Sequence, residues 1–389
     1  MRYISASIVV PVIGNFIKRG VVAIDESGTV TGLYEEDDLA VQNVKLEFYE
    51  GVLIPGFVNA HCHIELSYML GKTDRGNGLP KFLAQVMKNR EYSQKDILLA
   101  IELADKEMYD NGIQAVGDHV NTKLSADIKA QSPIRYHTFV EVMATRKEDI
   151  QSRIDLARDV EFFFNPDHTS ITPHAPYSCS KDLFKAFRNV VQEDNILSIH
   201  NQESDEENKL FRYRTGEFLE FYEEMGLDSS AFKAQARNSI QSYLPHLPRN
   251  NKAILVHNTY TSLKDIDFIN RQGRDVYYCM CPKANLYIEG KLPKLLNFVP
   301  DQERMLIGTD SLASNDSLDI LSELKVLLAN FDHLDFLQVL QWATINGAQA
   351  LGLSDILGSI EVGKNPGLVL LEGMNNLRLT DRVTLKRIV

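Results

Sequence analysis

His61 and His63 flank Cys62 at the end of a short apolar segment, Phe57 to His63. Alternate residues of a strand point the same way, so both imidazoles share one face and Cys62 takes the other. Three further segments close on groups of matching chemistry: Ile196 to His200, Ala253 to His257, and Met305 to Gly308, the last followed by Thr309-Asp310. Three imidazoles and a carboxylate suit Zn²⁺ or another divalent first-row metal. The expected ligand set is His61, His63, His200 and Asp310 around one divalent ion, Zn²⁺ in first place and Fe²⁺ in second, with water at the open position. Bound Zn²⁺ lowers the pKa of its water to about 7 and so makes hydroxide available at neutral pH. Glu203, just past His200, is placed to act as general acid/base, and His257 and Asp310 to hold the attacking oxygen. Taken singly, each residue reads as a structural side chain: a half-buried strand histidine, a solvated acidic run at Glu203 to Glu207, a turn aspartate. It is their joint recurrence at four strand ends that points to a site.

Residues so far apart in sequence need a scaffold that gathers strand ends. From Pro55-Gly56 onward, apolar strand-like runs alternate with helical periods. Strands are expected at 57–63, 115–118, 134–141, 170–173, 196–200, 253–257, 276–280 and 305–308. Helices are expected at Leu79 to Arg90, Ser93 to Asn111, Lys147 to Phe163, Lys181 to Gln192 and Ser262 to Arg271. That order is α/β, a (β/α)8 TIM-type barrel, whose sites lie at the C-terminal ends of the strands. No Gly-x-Gly-x-x-Gly follows any strand, which argues against a doubly wound nucleotide-binding sheet. Residues 1–55 read as short strands and turns, and the tail turns extended again at Leu368 to Leu371 and Val383 to Ile388. The expected division is a small β-sandwich from 1–55 and 359–389 and a barrel over 56–358, with a helical cap at 203–248.

Composition narrows the partners. A formal net charge of -12 repels phosphate backbones, so a small-molecule substrate is expected rather than nucleic acid. No apolar run is long enough to cross a bilayer, and four cysteines without framework spacing suit a reducing compartment, so the cytoplasm is expected. Arg212 and Arg214 in the cap segment read as solvated surface, and Asp118, His119 and Glu141 as supporting or structural groups near strand ends. Cys279 and Cys281 alternate on a strand without a second cysteine pair, which argues against a structural zinc site.

These segments resemble the amidohydrolase superfamily, in particular its mononuclear deaminase and chlorohydrolase branch. The resemblance rests on Pro55-Gly56-Phe57-Val58-Asn59-Ala60-His61-Cys62-His63, Thr172-Pro173-His174-Ala175-Pro176-Tyr177, His200-Asn201-Gln202-Glu203, Val256-His257, Cys281-Pro282-Lys283-Ala284-Asn285 and Gly308-Thr309-Asp310-Ser311, with Gly358 to Lys364 closing the chain. It implies hydrolysis of a C–N bond in a cyclic amidine or amide, often with loss of ammonia. An aminated heterocycle or purine nucleoside derivative is the implied substrate; ring opening or dechlorination on the same site is the alternative. A catalytically silent metal-binding scaffold ranks below both. The fourth strand carries His174 and no lysine, so the resemblance implies one metal rather than two, and it places His174 against the substrate. Glu65, two positions after His63, is a second candidate for the substrate pocket. The run His63-Ile64-Glu65-Leu66-Ser67 resembles that of aminodeoxyfutalosine deaminases. Lys364-Asn365-Pro366-Gly367 departs from the family's acidic tail, outside the site. A homodimer is the assembly the resemblance implies.

Overall fold

Strands buried on both faces carry near-continuous apolar runs instead of a clean alternation. The middle of this chain shows that signature: Ile113–Val120 is buried along its whole length, as is Phe57–Cys62. The computed structural model describes residues 1–89 and 91–389. In chain order its strands are β1 Arg2–Val9, β2 Ile17–Lys18, β3 Val21–Ile24, β4 Val30–Tyr34, β5 Leu46–Pro55, β6 Phe57–Cys62, β7 Ile113–Val120, β8 Arg135–Val142, β9 Thr169–Pro173, β10 Leu197–Asn201, β11 Ala253–His257, β12 Val276–Met280, β13 Met305–Ile307, β14 Leu368–Glu372 and β15 Thr384–Arg387.

Strands β6 to β13 form two parallel four-stranded halves, ordered β6-β7-β8-β9 and β10-β11-β12-β13. Backbone hydrogen bonds join the halves at both seams. At one, His200 N donates to His174 O at 3.0 Å; at the other, Thr309 N and Asp310 N donate to His61 O at 3.0 and 3.1 Å. The candidate site residues therefore also close the barrel. This is the expected α/β fold, a (β/α)8 barrel. Val58, Ala60, Ala115, Phe139, Ile254, Val256, Cys279 and Leu306 fill its interior, while Val116, Val140, Leu197, Leu255 and Tyr278 join the apolar layer under the helices.

The helices follow their start signals. Ser93, Ser180 and Ser262 each accept a hydrogen bond from an N–H of the first turn, and Ser262 forms a capping box with Asp265. The first helix after β6 runs Leu79–Lys88; its expected end at Arg90 lies outside the described residues. Between β10 and β11 lie helices Asp205–Tyr213, Glu217–Glu224 and Ser239–Tyr243. The aromatic side chains of this segment, including Phe211, Phe218, Tyr222 and Phe232, pack with Leu79, Phe82 and Val86 into one apolar cluster.

Strands from both ends of the chain share a seven-stranded sheet ordered β15-β14-β5-β1-β3-β4, with β2 beside β1. Strand β14 runs antiparallel to β5, with Val369 opposite Ile54. Alternation along β14 gives the sheet two jobs. Leu368 and Leu370 pack on Ile4, Val22 and Leu53 within the terminal unit, while Val369 and Leu371 face the barrel's apolar layer. No helix among the described residues is long and apolar enough to cross a membrane.

Candidate active site

Period-two alternation decides which side chains enter the barrel. On β7 it sends Ala115 and His119 inward and Val116, Asp118 and Val120 outward. Asp118 therefore pairs with Lys129 at 2.5 Å and accepts from Ile64 N at 2.8 Å, bracing the turn after His63. His119 instead packs its ring 4.6 Å from that of His61. On β11 the same rule would send His257 outward with Leu255. A left-handed backbone at His257, φ 71°, overrides it and brings the ring within 5.7 Å of His61. Gln202, Asn258 and Asp310 are left-handed too, at φ 45°, 55° and 58°. Each such non-glycine residue costs about 1–2 kcal/mol. Surrounding hydrogen bonds hold them, among them Tyr260 N to Gln202 O at 2.9 Å and Asn258 Nδ2 to Leu255 O at 2.7 Å.

All four expected ligands meet. His61 Nε2 lies 3.5 Å and His63 Nε2 3.6 Å from Asp310 Oδ1, and His63 Nε2 lies 3.1 Å from His200 Nε2. The other ring nitrogen of His200 is fixed on the carbonyl of His174 at 2.9 Å, which turns Nε2 toward the cluster. Asp310 Oδ2 accepts from the Ser314 hydroxyl and leaves Oδ1 facing the imidazoles. His61 is wholly buried, and neither of its ring nitrogens has a hydrogen-bond partner among the described residues. Buried polar atoms are rarely left so. Burial, with neighbouring imidazoles, pushes the pKa values of His61 and His63 well below the usual range, so their lone pairs are free for coordination. This donor set fits a divalent metal ion. His119 sits in the same cluster, but both its nitrogens are engaged, Nδ1 with Glu141 Oε1 and Nε2 with Ser198 Oγ, each at 2.8 Å. Burial opposes the Glu141 charge, but the imidazoles of His174, His63 and His200 outweigh it and hold its pKa low.

Glu203 faces the cluster from the turn after β10, with Oε1 3.6 Å from His257 Nε2. Burial, reinforced by Asp310, pushes its carboxyl well above the usual carboxylate range. Burial also lowers His257 to about 3, so its imidazole is neutral at pH 7. His257 Nδ1 meets Asn285 Oδ1 at 2.9 Å; as donor there, it leaves Nε2 to accept on the Glu203 side. Asn285→Leu should release that ring and lower kcat about tenfold to a hundredfold while the metal stays bound, read from steady-state rates and metal content. An unchanged kcat would mean that Asn285 does not orient His257.

A cavity of about 630 Å³ opens from this cluster. His174 lines it, with Nδ1 on Ser178 Oγ at 2.7 Å. Glu65 lines it too, but its carboxylate turns to the loop after β7. There it accepts from Thr122 Oγ1 at 2.7 Å and from the N–H groups of Asn121 and Thr122 at 3.0 and 3.2 Å, and burial raises its pKa to about 7. The outer walls, absent from the sequence reading, come from Phe82, Val86 and Met87, from Leu227, and from Arg146 and Arg153 beyond β8. Their one legible signal was position, on segments that follow barrel strands. Arg212 and Arg214 are not among the lining residues; Arg212 is bonded to Asn238. Cys279 and Cys281 lie in the barrel's apolar interior.

Comparison with known proteins agrees with this geometry. An adenosine deaminase from Helicobacter pylori is 28% identical across 89% of this chain and 85% of its own. Among solved structures, Helicobacter pylori aminofutalosine deaminase in complex with methylthio-coformycin superposes with a TM-score of 0.84 at 24% identity, covering 100% of both chains. An adenosine deaminase from Xanthomonas campestris with zinc bound gives 0.71 at 24% identity, covering 95% of this chain and 84% of that one. The family model described as "Amidohydrolase family" matches residues 52–388, from the last strand before the barrel to the end of the terminal sheet, and the chain is therefore a member of the amidohydrolase family.

Proposed function

We propose that this protein is a metal-dependent deaminase that hydrolyses the exocyclic amine of an aminated purine in a nucleoside or nucleoside derivative. The observation that carries the reading is the pairing of Glu203 with His257 at the inner end of the cavity, beside the His61–His63–His200–Asp310 cluster. One ion, zinc in first place, held by those four residues would supply Lewis acidity and an activated water. Glu203 carries a proton from the attacking water to the ring nitrogen next to the amine-bearing carbon. His257 accepts a hydrogen bond from the entering oxygen, and its neutral state keeps that acceptor available. Water adds to the ring carbon; the remaining proton of the added hydroxyl then passes to the amine as the carbonyl forms, the C–N bond breaks, and the amine departs as ammonia.

The substrate class is supported by the named relatives and by a cavity that extends past the reaction centre between walls of apolar side chains and the two arginines Arg146 and Arg153. His174 and Glu65 both line the cavity and are the substrate contacts of this reading, His174 directly and Glu65 from a carboxylate held by the loop after β7. No observation favours ring opening, dechlorination or a silent scaffold. We place the barrel at 56–358 and the terminal unit at 1–55 with 359–389, and the protein in the cytoplasm, in keeping with four buried cysteines that are all free. Ammonia release should be assayed with adenosine, 5′-methylthioadenosine and aminofutalosine. Turnover of at least one is expected; silence on all three, with metal bound, overturns the nucleoside reading.

A further inference from the structure

Glu207 is completely buried, yet it stands behind the cavity wall rather than on it. It is the third residue of helix Asp205–Tyr213, whose cap is Ser204, accepting from Glu206 N at 3.1 Å. A glutamate at this position ordinarily turns back to the N–H of the capping residue. Glu207 reaches past it: Oε1 accepts from Gln202 N at 3.0 Å, and the N–H of Glu203 also points at the carboxylate. Gln202 is the left-handed residue of this turn, φ 45°. Its side chain is held as well, with Oε1 accepting from Thr261 at 2.9 Å. Everything that fixes the backbone at Gln202 fixes the direction of the next side chain, Glu203.

The other oxygen of Glu207, Oε2, is buried with the Ser239 hydroxyl as its neighbour and no cation beside it. A buried acid so placed costs stability; an apolar side chain would fill the space more cheaply. Its contribution is therefore directional. We infer that Glu207 is a positioning residue that clamps the Gln202 turn and aims the Glu203 carboxyl at the reacting ring. This rests on the reading of Glu203 as the proton carrier.

Four variants of the metal-loaded enzyme test it, on whichever nucleoside of the panel above is turned over fastest. Glu207→Met keeps the bulk and removes the acceptor. It should lower kcat about tenfold to a hundredfold, the scale of a misplacement near 1 Å, with KM changed less than about threefold. Glu207→Gln keeps an acceptor oxygen and should restore kcat to within about threefold of the wild type. Should Glu207→Met fail to fold, Glu207→Asp, which withdraws the carboxylate by one methylene, carries the same expectation. A merely structural role would lower the melting temperature and leave kcat per metal-loaded chain unchanged, and that result overturns the inference. So does a Gln variant as impaired as the Met variant. Glu203→Gln, run alongside, separates the two readings. If it stays active, the proton-carrier role falls and this inference with it; if it is dead while Glu207→Met runs at full kcat, only the positioning role falls.

Discussion

Glu203→Gln is expected to lose about 10²- to 10⁴-fold in kcat, the usual contribution of a positioned acid–base group. The amide is nearly isosteric and can still hydrogen-bond, but it can neither take nor give a proton at neutral pH. In the native chain burial, reinforced by Asp310, pushes the Glu203 carboxyl well above its ordinary range, the direction expected of a group that must carry a proton rather than stay ionised. The side chain is 3.6 Å from His257 and outside the expected ligand set, so the variant should hold its metal and its melting temperature. Two readouts decide the matter together: ammonia release and metal content by atomic emission. A variant within tenfold of wild-type kcat would remove Glu203 from the mechanism.

Removing the metal is the second large effect. Extraction with a chelator should abolish turnover, and about one equivalent of zinc per chain should restore it. It should also destabilise the fold. A ligand held at a thousand times its Kd stabilises the native state by about 4 kcal/mol, and that contribution disappears with the ion. The apo chain is left with His61 buried and neither ring nitrogen satisfied, and with Glu203 buried beside the Asp310 carboxyl in one enclosed site. His61→Ala should show both losses at once, in metal content and in thermal melting. Full activity after extraction, or a purified protein that never binds a divalent ion, would refute the assignment of the cluster as a metal site.

The strands show how far the sequence could be read. Ala253–His257 and Val276–Met280 have the boundaries expected from it, because short apolar runs bounded by polar residues signal themselves. Other edges moved: the strand expected at 115–118 is Ile113–Val120, because parallel neighbours pair beyond the apolar stretch. Lys45 to Tyr49 and Leu53-Ile54, which read as separate extended pieces, form the single strand β5, since pairing with β1 carries the chain through Gly51. The helix expected at Lys181 to Gln192 is α-helical only over Lys181–Ala186 and then tightens into a short 3₁₀ turn.

The chemistry divides along the same line. His61, His63, His200, Glu203 and Asp310 were legible because each ends or follows a strand and carries a side chain with few uses other than coordination or proton transfer. Alternation from Ala115 already contained the inward direction of His119; its engagement by Glu141 and Ser198 did not, since those partners come from other strands.

The sequence alone determined the residue types at the strand ends and the alternation that aims most of them into one barrel. Only the tertiary structure decided that His61, the opening histidine, is sealed from water with both nitrogens unsatisfied, that His257 is swung inward against its own alternation, and that the outer cavity is walled by Met87, Arg146 and Leu227. The reason is physical. Which way a side chain points is a local property of the backbone, whereas burial, partners and cavity shape are set by other strands and loops, from 22 residues away for His119 and Glu141 to 137 for His63 and His200.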